Sequence, residues 1–218
     1  MGLLGLFMPP VQAATLLIVP SLVTNVQQML TGGALRSLLR RLWTMQLAVV
    51  IGTLWAPISV ATLDAKIASA GLGTALVIYA AMGLGSKQFP VSARAQQWAS
   101  PLIGLVTGAI TAATGVFVFP AAPYLQGMGL QKNELVQALG LSFTVSTAAL
   151  ACRLALDGSL VVNAATSGWN LVVPLLVAIL GMAIGQLLRG RMGEAIFKRT
   201  FFIGLLLVGI HLMLKGLL

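Results

Sequence analysis

Apolar residues run along this chain in seven long stretches, which short polar or basic connections separate. Several charge-free runs, such as 1–35, 95–131 and 158–188, exceed the roughly 20 residues that a helix needs to cross about 30 Å of hydrocarbon. The pattern therefore predicts an all-α polytopic integral membrane protein, with residues 1–218 as a single transmembrane domain. The predicted segments are A at 9–31, B at 43–63, C at 67–86, D at 99–127, E at 133–152, F at 168–188 and G at 200–218.

The composition narrows the class of protein. Hydrophobic residues make up 58% of the chain, and 13 Lys or Arg residues stand against 4 Asp or Glu residues. So few charged residues cannot form the surface of a soluble protein. The basic residues lie in short loops beside apolar segments and are not gathered on one domain, which argues against nucleic-acid binding. A lone cysteine, Cys152, excludes an internal disulfide and a cysteine-based metal cluster. No metal and no cofactor are expected.

Segment D differs from the other segments because its middle is rich in glycine and small polar residues. The stretch Thr107–Gly115 contains three threonines and two glycines, and Pro120 and Pro123 follow it. Backbone without helical hydrogen bonds survives at membrane depth only where protein buries it or where it lines a watery cavity. The stretch predicts either an unwound midpoint of this kind or a tight helix contact formed by small residues.

Counting basic residues on the two sides of the membrane favours a broken, re-entrant segment D. If all seven segments cross, the Lys and Arg residues divide 7 to 6, which sets no orientation. If D dips in and returns to its own side, they divide 10 to 3. Because Lys and Arg in short loops set topology, we expect about six spanning helices plus the re-entrant segment. The protein then lies in the inner (plasma) membrane, with the basic side cytoplasmic and the C-terminus outside.

A weak internal repeat relates segments A, B and C to E, F and G. With D re-entrant, the paired segments run antiparallel, as in the two-fold inverted repeats of many secondary transporters. Residues 1–86 form an incomplete first repeat and 99–218 the second, because nothing upstream of Met8 matches segment D. To explain the missing counterpart of segment D, we expect either a start codon placed too late or a shortened chain. The alternative to the repeat itself is a chance alignment of apolar stretches. The glycine matches are Gly52 with Gly181 and Gly73 with Gly204.

The chain resembles the TauE/SafE family of membrane proteins, which is linked to the export of sulfite and organosulfonates. The resemblance covers essentially the whole chain and implies about eight hydrophobic segments in two related halves. The chain departs from the family pattern by lacking the first segment, and by carrying Val116–Phe119 where further glycines often follow Gly115. The residues that carry the resemblance are Gly104–Gly115, Pro120 and Leu130–Ala138, with Pro9, Pro10, Ala13 and Pro20–Gln28 in the first half.

The resemblance implies a permease or exporter of small anions, with sulfite or an organosulfonate as the expected cargo. Because half of a symmetric site would be missing, a non-transporting membrane scaffold or a truncated remnant is the alternative. The bilayer is the expected surrounding, and a homo-oligomer stays open. The sequence has no H-E-x-x-H motif, and its single histidine, His211, is tied to no serine, so no catalytic residue is expected.

Neutral donors near the break predict an anion site. A half-helix that begins at the bilayer midplane presents free backbone N–H groups and the positive end of its dipole, and we expect this start at Thr114–Gly115. Hydroxyl and amide side chains on segments A and E would face the break, although such groups also commonly bind their own helix. The expected substrate-binding residues are Thr107, Gly108, Thr111, Thr114, Gly115, Thr144, Ser146, Ser21, Thr24, Asn25 and Gln28, with Ser142 and Thr147 as further donors.

Overall fold

A computed structural model describes residues 2–85, 90–159, 181 and 194–217. These residues form eight helices and contain no strand, and four helices are long and apolar enough to cross a membrane. The prediction of an all-α membrane protein is confirmed, whereas segment F lies almost wholly outside the described residues. The helices are α1 Gly2–Gly5, α2 Pro10–Leu30, α3 Leu35–Leu54, α4 Ala65–Leu84, α5 Ala93–Thr114, α6 Ala121–Gly127, α7 Lys132–Leu156 and α8 Glu194–Leu217.

Helix α3 begins eight residues before the predicted start of segment B, so the expectation that Arg36, Arg40 and Arg41 form a loop is wrong. Apolar residues recur here at helical spacing, and burying them on one face outweighs the polar character of the other face. The arginines belong to the first two turns of the helix, on its exposed side. The buried residues of the first three turns include Leu38, Leu42 and Met45.

Segment D folds as a hairpin whose two ends meet. The Val91 amide, just before α5, donates to the Gly127 carbonyl at the end of α6 over 2.8 Å. Helix α5 has 22 residues and is about 33 Å long. The six residues between the helices, if extended, and the seven-residue α6 span a similar length on the way back. Segment D therefore leaves the helix bundle on the side where it entered.

Three helix pairs make the most extensive contacts, and a glycine lies at each crossing. A Cβ atom on Gly140 of α7 would overlap the backbone of α2, and one on Gly108 of α5 would overlap the Val49 carbonyl of α3. Gly73 of α4 meets the backbone of α8 in the same way, at Gly209. Small residues allow this close approach, which is the main source of packing energy between helices in a bilayer.

Contacts along the helix pairs fix their relative directions. In the pair of α2 and α7, Asn25 bonds Thr147 while Gln137 bonds Met29, so the two helices run antiparallel. Helices α4 and α8 also run antiparallel, since Gly216 lies beside Lys66 at one end and Phe202 lies beside Gly83 at the other. Helix α3 runs parallel to α7, because Gln46 bonds Ser142 and Arg153 bonds the Leu54 carbonyl.

The two ends of the bundle differ in charge. The end at which α3, α5 and α7 begin, called the basic end below, carries Arg36, Arg40, Arg41, Arg94 and Lys132. At the opposite end, Arg153 pairs with Asp157 over 3.1 Å. Arg153 also donates to the Leu54 and Ala56 carbonyls, and Ser59 donates to the Asp157 carboxylate. This network ties the connection after α3 to the end of α7.

The contact between α3 and α5 generates a stability prediction. We expect Gly108→Ala to lower the free energy of unfolding by about 1–3 kcal/mol, because the added methyl must displace the α3 backbone. The matched control is Gly204→Ala in α8, since a Cβ on Gly204 meets nothing within 4 Å. Thermal unfolding in detergent measures both variants, and equal melting temperatures would contradict the close packing at Gly108.

Candidate functional site

A cavity of about 230 Å³ lies where the break in segment D meets α2, α4, α7 and α8. Its lining is mostly apolar, with four leucines, one alanine and one isoleucine from the helices. Ser21 of α2, Thr147 of α7 and the stretch Gly115–Val118 also line it. No described residue that lines the cavity carries a charge, so any anion held there would depend on neutral donors.

The backbone of the break offers such donors. The Gly115 amide donates to the Thr111 carbonyl over 2.8 Å, and the Val116 amide donates to the Thr114 hydroxyl oxygen over 3.2 Å. The amides of Phe117 and Val118 have no acceptor among the described residues. Two unpaired N–H groups on the cavity wall are what a desolvated anion would bind.

The direction of the helix at the break is opposite to the expectation. Helix α5 ends at Thr114, and Gly115 follows with φ 71° and ψ 8°, a left-handed conformation that commonly terminates helices. The prediction that a half-helix starts at Thr114–Gly115 is therefore wrong, because the negative end of the α5 dipole faces the break. Helix α6 starts only after the cis peptide bond between Phe119 and Pro120 and has seven residues.

One face of α5 carries a buried polar stripe toward the returning chain. Ser100 shares a 2.6 Å hydrogen bond with the Tyr124 hydroxyl of α6. The Thr111 hydroxyl donates to the Thr107 carbonyl over 2.7 Å, and the Thr114 hydroxyl donates to Ile110 over 2.7 Å. Thr111 also contacts the Val116 carbonyl over 3.4 Å, so the hydroxyl protons of Thr111 and Thr114 are shared with carbonyls of α5 and of the break and are not free for a ligand. The Thr107 hydroxyl is fully buried and has no described partner.

The predicted polar residues of α2 and α7 divide into two groups. Thr24 and Thr144 donate to carbonyls of their own helices, at Pro20 and Gly140. Asn25 reaches across to the Thr147 hydroxyl over 3.5 Å, so the two helices do face each other as the repeat predicted. Two further predicted residues have other surroundings: Gln28 backs onto Gly140, and Ser146 is 1% exposed with its hydroxyl unpaired.

Of the predicted binding residues, Ser21 and Gly115 line the cavity, and the further donor Thr147 joins them. Gly108 instead faces the α3 backbone, so its missing side chain serves helix packing and not approach to a ligand. The sequence interpretation missed Gln46 of α3, which is 8% exposed and donates to Ser142 over 2.8 Å. The glutamine side chain of Gln46 in an otherwise apolar segment was the feature of the sequence that could have indicated a buried polar contact.

Thr147 and Thr107 are similarly buried, with 1% and 0% of their surface exposed, and together they give a matched test of these hydrogen bonds. Thr147 accepts from Asn25 and donates to the Phe143 carbonyl, so Thr147→Val should cost about 1–3 kcal/mol of stability by leaving the Asn25 amide unpaired. Thr107→Val removes an already unpaired hydroxyl and should be neutral or stabilising. Thermal unfolding measures both variants, and an equal loss in Thr107→Val would show that Thr107 has a partner.

The chain was compared with known families, curated proteins and solved structures. The family model described as "Sulfite exporter TauE/SafE" matches residues 1–212. Neither a curated protein nor a solved structure matches the chain.

Proposed function

The chain belongs to the sulfite exporter TauE/SafE family, and from this premise we propose that it exports sulfite or a small organosulfonate through the cavity at the break in segment D. The family consists of membrane transporters and not of enzymes, and it implies an anionic substrate. We propose, beyond the family membership, which anion the protein carries, which residues bind it and how the protein is oriented in the membrane.

The observation that carries the proposal is the juxtaposition of neutral donors on one cavity wall. Ser21 and the Gly115–Val118 stretch both line the cavity. The amides of Phe117 and Val118 on that stretch have no acceptor among the described residues, whereas the Thr147 hydroxyl already donates to the Phe143 carbonyl. The Ser21 hydroxyl and the two amides are therefore the neutral donors proposed for the oxygen atoms of a sulfite or sulfonate group, which accept several hydrogen bonds at once.

The absence of charge from the described cavity lining fits a carrier that must release its cargo. A buried arginine would form strong charge-assisted hydrogen bonds with an oxyanion and slow its release. Neutral donors hold the anion more weakly. An inside-negative membrane potential then favours outward movement by about 2.3 kcal/mol per charge per 100 mV, so the export of an anion can proceed without a coupling ion.

An inverted repeat accounts for the pairing of the helices. In this proposal α2 is the counterpart of α7 and α4 of α8, with residues 1–86 as the incomplete first repeat and 99–218 as the second. The antiparallel contacts of α2 with α7 and of α4 with α8 support it, because a two-fold axis in the membrane plane relates such pairs. The cavity then lies beside that axis, where transporters of this kind bind their substrates.

The hydroxyl groups of the cavity generate a flux prediction. In proteoliposomes loaded with radiolabelled sulfite, Ser21→Ala should reduce efflux several-fold, because one neutral hydrogen bond is worth about 0.5–1.5 kcal/mol. Thr15→Val is the matched control, since Thr15 lies on the same helix, bonds the Val11 carbonyl and does not line the cavity. Equal losses in both variants would remove Ser21 from the site.

The same preparation separates transport from a scaffold role. Efflux of the unmodified protein should rise when a potassium gradient with valinomycin makes the interior negative, because the anion carries the charge. If no anion in a panel of sulfite, sulfate and small sulfonates moves faster than in empty liposomes, the chain is a membrane scaffold and the proposal is wrong.

Orientation has its own test. The basic end should face the cytoplasm, since Lys and Arg residues flanking spans are retained there. We therefore expect a C-terminal alkaline phosphatase fusion, placed after α8, to be active, and a fusion at Gly129 in the connection after α6 to be inactive. The reverse result would show that the orientation is inverted, with the basic end outside.

A further inference from the structure

The first two turns of α3 hold positive charge that nothing described in the chain neutralises. Arg36 and Arg40 are exposed and have neither a hydrogen bond nor an ion pair with a described residue. Arg41 donates to neutral oxygens, at Gln96 and at the Met128 carbonyl. The one carboxylate whose side chain is described at the basic end, that of Glu134, accepts from the Gln131 amide.

This arrangement is unfavourable without an anion. Arg36 and Arg40 are four residues apart, so their like charges face each other on one side of the helix. Both also lie at the amino-terminal end of α3, where the helix dipole already places positive charge. Arg36, Arg40 and Arg41 line an open surface groove, together with Gly33 and Ser37. A phosphate group can approach their guanidinium groups from outside the protein.

The same face of α3 continues into an apolar surface. Arg36, Arg40, Trp43, Leu47 and Ile51 lie within about 80° of arc on a helix that turns 100° per residue. Trp43 is 60% exposed, Leu47 52% and Ile51 39%. Along this face the order is guanidinium, indole and aliphatic side chain, which matches the order of phosphate, glycerol and acyl chain in a phospholipid. An indole at this position marks the headgroup layer.

We propose that this face of α3 is a binding site for an anionic phospholipid, with the Arg36 and Arg40 guanidinium groups on the lipid phosphate and an acyl chain along Trp43, Leu47 and Ile51. Guanidinium groups bind phosphate oxygens through paired hydrogen bonds. This lipid site shares no lining residue with the proposed anion cavity, so a lipid can bind there whether or not the protein transports an anion.

The test measures lipid binding directly beside Trp43. The full-length protein, with Trp55, Trp98 and Trp169 changed to Phe, is titrated in detergent with brominated phosphatidylglycerol and, separately, with brominated phosphatidylcholine, which quench Trp43 fluorescence on contact. The unmodified site should prefer phosphatidylglycerol. Arg36→Gln should reduce that preference about fivefold, and Arg36→Gln with Arg40→Gln about 30-fold, at the strength expected for arginines near an anionic surface.

The control removes the same charge elsewhere at the basic end. Arg94→Gln with Lys132→Gln alters two exposed cations on α5 and α7 and should leave the preference within about twofold. An equal loss in the control pair, or no loss in the Arg36 and Arg40 pair, would overturn the proposal. Inorganic phosphate is added as a competitor, and full displacement of phosphatidylglycerol at millimolar phosphate would assign the site to a soluble oxyanion instead.

Discussion

The structure depends on one constraint, which is that unpaired backbone cannot face hydrocarbon. Between α5 and α6, the amides of Phe117 and Val118 have no acceptor among the described residues, so protein must surround this stretch. Leu72 and Leu76 of α4 and Leu212 of α8 pack against Val116, and Phe143 of α7 contacts the Phe117 ring at 5.2 Å. The glycine contacts between helix pairs bring these helices close enough to enclose the break.

The protein that surrounds the break also shields its backbone amides from water. An amide removed from water and left without an acceptor costs free energy, and in the proposed function an anion in the cavity offsets that cost. Thr111 and Thr114 contribute indirectly, since their hydroxyls satisfy carbonyls at the end of α5 and fix the path of the chain. In the proposed function, recognition of the anion depends on main-chain groups and on Ser21, and no charged side chain among the described lining residues assists them.

Charge is confined to the two ends of the described bundle, and the two ends use it differently. At the opposite end, Arg153 and Asp157 neutralise each other and fasten a connection. At the basic end, Arg36 and Arg40 have no such partner among the described residues, and the excess charge is available to lipid phosphates. The neutral interior between them is suited to weak, reversible contact with an anion.

The sequence by itself determined the membrane class and the positions of most helices, because apolar length acts locally. It predicted an interruption of segment D at Thr107–Gly115, but Thr107–Thr114 are helical and the non-helical stretch is 115–120. It also placed Asn25 and Thr147 on facing helices. It could not determine the direction of the helix at the break, since Thr114–Gly115 is compatible with a start or an end, and only the left-handed Gly115 followed by the returning chain decided it. Nor could it distinguish Gly115, which lines a cavity, from Gly108, which lies against the backbone of α3. That difference arises from which helix packs against each glycine, and packing partners distant in sequence leave no local signal.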